Sequence, residues 1–447
     1  MTLPLRRNTN YHLLWGSQAL SELGAQISVF ALPLLVLMLT DSAVDAGAAG
    51  AVSALTRLVV LVPAGALIDR WHRKRIMLLC ELSRVPMMVG LGLMLLGDGV
   101  AFGYILAVAV VDGAAAAMFA PAEEAALPQV VTKEQLPTAV SVSAARSYLA
   151  TLAGPGIGGF LFTAHKALPF LVNGVTYAGS FVMLLFLRLK RPGGAGGTGT
   201  AGARRSLVGE IGEGIGWIWR RPVIRASMAV AVGVSVCFNA LYLIVLTLAQ
   251  RAKIPAAEIG AIGVLVGAGG LAGALLAPRM HRLLTPRAAI ILLGWLGAGV
   301  TPLLLVRTSG YLFGAVLAAI AFLAPTVQTA VVTYQMALTP DRLRGRVSAA
   351  LGLAGGVAGA AGPLLGGLLV DAGGPAQAVL TCAGVLLLAA LAAGLSPALR
   401  AFTSVHGTPE EDEAPPLSPS PVPSAASDPA DAAGPEPTSA TSEPLER

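Results

Sequence analysis

Six charged residues stand inside long apolar runs of this 447-residue chain: Glu22, Arg57, Glu81, Arg84, Asp112 and Arg146. A charge at the centre of a bilayer costs about 2.5–3.5 kcal/mol on insertion scales, so such residues persist where they pair or line a wet cavity. At about 1.5 Å of rise per residue, Glu22, Arg57, Asp112 and Arg146 all lie roughly 12–14 Å from one end of their runs. Matching depth on consecutive runs predicts two acid–base pairs, Glu22 with Arg57 and Asp112 with Arg146. Glu81 and Arg84 are three residues apart, share a helix face and form a third pair. The chemistry this implies is proton uptake at Glu22 or Asp112, which frees the arginine partner and shifts a conformational balance. Static ion pairs are the competing reading for both acids. Three neutral polar residues in later runs, Asn239, Gln328 and Gln335, either contact a cargo or bond across helices.

The elements that position these groups are spanning helices. The chain is 55% hydrophobic and 12% charged, with mean hydropathy +0.74. Soluble domains carry about a quarter charged residues, so most of this surface meets lipid. A spanning helix needs roughly 20 apolar residues. Twelve segments qualify: 13–39, 46–68, 76–97, 100–120, 138–162, 168–188, 223–249, 258–277, 288–306, 310–334, 347–370 and 376–398. The first is too long for a cleaved signal peptide and lacks its small-residue cleavage site. With an even helix count both ends share one side. Loops on that side hold 22 of the 30 Lys+Arg, and the opposite loops hold four. The positive-inside rule then makes both termini cytoplasmic in a plasma-membrane protein. Cys80, Cys237 and Cys382 show neither metal spacing nor a disulfide pattern.

The chain also repeats itself. GALIDRWHRKR begins at Gly65 and GALLAPRMHRL at Gly273; GPGIGGFL begins at Gly154 and GPLLGGLL at Gly362. Both pairs are 208 residues apart. Duplicated bundles with a cleft between them are how many secondary transporters are built. The predicted division is a first six-helix half (1–189), a Gly-rich linker with an interfacial helix (190–222), a second half (223–402) and a tail (403–447). The tail holds nine acids and one arginine among Pro, Ser and Ala, and that composition predicts disorder.

The segment GALIDRWHRKR resembles the signature loop of the major facilitator superfamily, with Gly65, Leu67, Asp69, Arg70, Arg73, Lys74 and Arg75 matching and His72 where the pattern has glycine. The resemblance implies a cytoplasmic gating loop, with Gly65 allowing a close helix approach and Asp69 at a helix end. In the second copy Ala277 replaces Asp69, so the latch is one-sided. Gly154, Pro155, Gly158 and Gly159 are similar to the end of the same superfamily's antiporter signature. Proline removes a backbone bond and bends a helix, so this run reads as a hinge, or as a packing motif. Other stretches resemble the branch with enterobactin exporters and macrolide efflux proteins. Together these imply an all-α fold of twelve transmembrane helices in two pseudo-symmetric halves. The implied activity is proton-coupled efflux of a hydrophobic or amphiphilic small molecule, a drug, macrolide, siderophore or secondary metabolite. Metabolite uptake and lipid translocation by the same fold are the alternatives. No nucleophile elbow, metal cluster or phosphate-binding loop points to an enzyme. No cofactor and no nucleic-acid partner are expected; the partners are small-molecule substrate, protons and the lipid bilayer, around a monomer.

Overall fold

The structure is a computed structural model that describes residues 5–97, 99–189, 216–340 and 343–396. Six helices come first: α1 Thr9–Thr40, α2 Ala43–Arg70, α3 Arg73–Leu96, α4 Phe102–Val130, α5 Leu136–Ala164 and α6 Leu168–Phe186. Then come α7 Pro222–Arg251, α8 Ala256–Leu283, α9 Pro286–Val300 and α10 Gly310–Leu338. The last helical tract, Arg344–Leu395, is broken at Gly374, whose φ of 79° and ψ of 166° lie outside the helical region. Glycine reaches that φ without a Cβ penalty, so the tract is two helices, α11 (344–373) and α12 (375–395). Ten tracts among the described residues are long and apolar enough to cross a membrane, with the last two helices counted as one.

Local sequence sets the ends. Ser42 accepts from the Asp45 amide at the start of α2, and Asn8 accepts from that of Tyr11 at the start of α1. These bonds satisfy amides that have no partner inside the helix. Pro286 and Pro222 begin α9 and α7, where the missing N–H costs nothing. The ninth segment, expected as one helix, ends its α-helix at Val300 and continues as a 3₁₀ turn, Thr301–Leu305.

The fourth segment differs most from expectation. It runs to Val130 rather than residue 120, with Pro121 and Pro128 inside it. The extra turns bring Glu123 and Glu124 into the bundle. Of the interfacial helix expected over 206–222, only a short helix at 216–220 falls among the described residues; the rest of the linker and the acidic tail lie outside them.

Packing follows the repeat. In the first six helices α1 lies against α5 and α6, α2 against α4, and α3 against α4 and α6. In the last six, α7 lies against α11 and α8 against α10, as α1 lies against α5 and α2 against α4. Between the sets, α2 packs on α11 and α5 on α8, a pair that the 208-residue offset interchanges. These approaches are closest at the end where α1 stops and α2 starts, called here the far end; the chain begins at the near end. A methyl group on Gly159 would stand 2.6 Å from the Cα of Gly260, and one on Gly367 would collide with the backbone of Ala43 and Val44. At the same end Asp371 accepts from the Val44 amide at 3.2 Å.

Candidate functional site

The near half of the first six helices encloses a cavity of about 720 Å³. Its walls come from α1, α2, α4 and α5, with Arg84 of α3, and include Gln18, Glu22, Arg57, Glu123, Glu124 and Arg146. Arg146 organises it. Its Nε donates to Glu22 Oε2 at 3.0 Å and its Nη2 to Glu123 Oε1 at 3.0 Å. Its Nη1 also donates to Gln18 Oε1. The Arg146 side chain is only 8% exposed, against 27% for Glu22 and 16% for Glu123. A planar guanidinium with five donors suits such a three-acceptor site; an ammonium would not match it.

A second cluster meets the same wall through Arg84. Arg84 Nε approaches Asp112 Oδ1 at 3.1 Å, and Arg84 Nη2 donates to the Asp112 carbonyl at 3.2 Å. Tyr177 Oη donates to Asp112 Oδ1 at 3.0 Å, and the Arg84 cation sits 5.0 Å over the Tyr177 ring. Glu81 is fully buried and accepts from Ser180 Oγ at 2.9 Å. Its other oxygen has no hydrogen-bond partner among the described residues.

Both the expected common depth and the expected pairings are corrected: α4 continues to Val130, which sets Asp112 eighteen residues from its near end and eleven residues, about 16 Å, before Glu123, the acid that Arg146 meets. Glu22 pairs with Arg146, not Arg57. Asp112 pairs with Arg84, not Arg146. Glu81 bonds to Ser180, and no Glu81–Arg84 ion pair exists among the described residues. The reason is packing: α1 faces α5 across the bundle, while α4 meets its sequence neighbour α3 at Asp112 and meets α5 only further along, at Glu123, so a shared expected depth does not make two residues partners. Glu123 was missed because Pro121 reads as a helix stop; the helix-forming run AEEAAL just after it was the available signal.

The last six helices hold a different cavity of about 350 Å³, walled by residues such as Val230, Val234, Phe238, Ile320 and Val331. Gln328 and Gln335 line it, but the Gln335 Nε2 already donates to Ser227 Oγ at 3.1 Å. Asn239 is not among the lining residues of either cavity; it donates to the Ser235 carbonyl of its own helix at 2.8 Å and packs beside Gly362.

The two motif regions also resolve into parts. Among the described residues, an added Cβ on Gly65 would meet nothing within 4 Å, so the expected close approach is not seen there. Asp69 and Arg70 end α2, and their side chains lie outside the described set. Lys74 Nζ donates to the carbonyls of Leu185 and Leu187 at 2.8 Å each, closing the end of α6. Arg287 does the same for α12, donating to Ala393 and Gly394. Arg73 and Arg75 begin α3. In the glycine run, Gly154 and Gly158 meet α1 at Gln26 and Ile27, while Gly159 and Pro155 meet α8 at Gly260 and Gly263. The second copy matches: Gly362 and Gly366 meet α7 at Val236 and Ala240, and Gly367 meets α2.

A family model described as Major Facilitator Superfamily matches residues 14–289 and 242–429. The chain belongs to this superfamily. Membership makes it a multi-pass membrane transporter rather than an enzyme. It is 29% identical over 399 residues to the multidrug efflux pump Tap of Mycolicibacterium fortuitum, covering 84% of this chain and 93% of that protein. It is 26% identical to the enterobactin exporter EntS of Escherichia coli O1:K1 / APEC, covering 76% and 80%. Among solved structures, a bacterial homologue of the human lysosomal transporter Spinster, inward-facing and unoccupied, aligns with a TM-score of 0.69 at 16% identity, covering 89% of this chain and 98% of that one. The nucleoside transporter NupG aligns at 0.65 and 11% identity, covering 86% and 97%. At these identities the structures show a shared fold.

Proposed function

We propose that the protein exports a hydrophobic or amphiphilic small molecule across the plasma membrane in exchange for protons, as a monomer that crosses the bilayer twelve times with both ends cytoplasmic. The first and last six helices move as two blocks. The far-end contacts of Gly159 with Gly260 and of Gly367 with α2 close the outer side, and the near-end cavities open to the cytoplasm. Similarity to Tap and EntS supports the outward direction.

The observation that carries coupling is the arrangement around Arg146. Two carboxylates, Glu22 and Glu123, share one guanidinium in the cavity wall. One guanidinium balances one carboxylate. In a medium that penalises net charge, the second acid needs a proton or a cation. Proton uptake from the outer side neutralises it. Release to the cytoplasm restores the charge and resets the block. Asp112 with Arg84 and Glu81 is the second place where a proton can be held.

The test is efflux in everted vesicles with an imposed pH gradient, using a dye the wild type moves. Glu22→Gln and Glu123→Gln should each abolish gradient-driven accumulation while leaving downhill dye exchange. Wild-type coupling in both variants, and in Asp112→Asn, removes these acids from the mechanism. Gradient-driven movement in the opposite sense would make the protein an uptake system.

A further inference from the structure

Once Arg146 is given to Glu22 and Glu123, and Arg84 to Asp112, two charges of the larger cavity are left over. Arg57 on α2 and Glu124 on α4 both line it and both are exposed to it. Neither makes an ion pair or a hydrogen bond among the described residues. Their separation explains why they do not pair with each other. α2 and α4 cross at Ser53 and Gly113, where a Cβ on Gly113 would collide with the Ser53 carbonyl. Both helices run from the far end to the near end. From that crossing Arg57 is one turn further along α2, about 6 Å; Glu124 is three turns along α4, about 16 Å. The two free charges thus stand about 10 Å apart along the bundle axis, at two levels of one cavity wall.

An exposed guanidinium at this depth is costly to hold without a counter-charge. A cavity with one free cation and one free anion at different levels matches a solute that carries both signs. We infer that the cargo is zwitterionic: an amphiphile whose anionic group meets Arg57 and whose cationic group meets Glu124. This rests on the reading of the cavity as the cargo site. An anionic cargo would leave Glu124 facing it with like charge, and a cationic cargo would do the same at Arg57. Charge placement of this kind gives specificity by repelling the wrong solute as well as attracting the right one.

The experiment uses three xanthene dyes of nearly one shape: rhodamine 110, a zwitterion; rhodamine 123, its methyl ester and a cation; and fluorescein, an anion. Binding to the full-length protein in lipid nanodiscs is read by fluorescence anisotropy. Wild type should bind rhodamine 110 about tenfold tighter than either of the others, in line with one charge-assisted contact at each end. Arg57→Gln should erase the preference over rhodamine 123, weakening rhodamine 110 and relieving rhodamine 123 of a like charge; Arg57→Lys should restore most of it. Glu124→Gln should erase the preference over fluorescein. Thermal unfolding of each variant separates lost recognition from lost fold. No charge-dependent order among the dyes in wild type overturns the inference. So does an Arg57→Leu/Glu124→Leu variant that keeps the wild-type order, since the two residues would then matter only to each other. Binding needs neither a gradient nor a direction. An intact dye order with no proton-driven export would overturn the export reading alone, and the reverse result would overturn the zwitterion alone.

Discussion

The first six helices and the last six share a frame and differ in chemistry. Each set holds a GPxxGG run at the same register, with its first glycines against the opening helix of its own set and its last glycine against the other set. Each set closes its sixth helix with a basic residue from its third, Lys74 and Arg287. Yet the three ion pairs among the described residues all lie in the first set. The last set presents a smaller wall of Val, Ile and Phe. Duplicated geometry therefore says little about duplicated work: the frame is common property, while the ion pairs among the described residues stand on one side. The glycine run makes matching close contacts in both copies, so a hinge at Gly154 and Pro155 is a proposal that extends equally to Gly362 and Pro363.

The largest expected effect comes from removing the charge that one set has and the other lacks. Arg146→Leu leaves Glu22 and Glu123 without their cation and should destabilise the protein by about 3–5 kcal/mol, the usual cost of orphaning a buried partner. Thermal unfolding in detergent reads this. Adding Glu22→Leu and Glu123→Leu makes the wall as apolar as its counterpart; stability should return while proton-driven transport stays lost. If the triple variant still couples to a gradient, the chemical contrast between the sets is not functional.

A smaller effect tests the likeness. Gly159→Leu and Gly367→Leu each force a side chain into the far-end contact, at about 1–3 kcal/mol for overpacking. Both should slow transport by similar factors and raise cysteine labelling of the cavity from outside. A strong effect in only one would break the symmetry of the frame. Smaller again, Lys74→Met and Arg287→Met should each cost about 1 kcal/mol as helix-end carbonyls lose their donor. The least change is expected from Tyr177→Phe and Gln335→Leu. Each removes one cross-helix hydrogen bond, worth about 0.6 kcal/mol inside a bilayer.

Much of this was legible in the residues. The apolar run lengths and the 208-residue offset mark the helices and the repeat, because lipid demands a fixed span and duplication leaves spaced motifs. Depth was legible only where the helix end was placed correctly: α4 runs ten residues past the expected stop at 120, so Asp112 lies about 15 Å further from the near end than its run suggested. Azimuth was not legible. Which faces meet depends on the order in which helices pack, and a sequence lists them in a different order, so Arg57 was given to Glu22 and Arg146 to Asp112. The reach of α4 past Pro121 was hidden because proline is weighed as a stop, although neighbours can satisfy the carbonyl it frees. Lys74 illustrates a third limit. It was read as part of a gating loop from the motif around it, and its bonds to Leu185 and Leu187 show an anchoring role that no local pattern announces.

The long chain separations inside the charged cluster bear on how the protein is made. Arg146 lies 124 residues after Glu22, and Ser180 lies 99 after Glu81. As the ribosome delivers the chain, α1 and α3 emerge carrying acids whose partners have not been synthesised. Released into lipid before α5 and α6 arrive, each would hold its acid without that partner, at about 2.5–3.5 kcal/mol on insertion scales. The later helices, apolar through their middles, face no such wait and can leave one at a time. The charged cluster of this transporter is thus complete only once the fifth and sixth helices are in place.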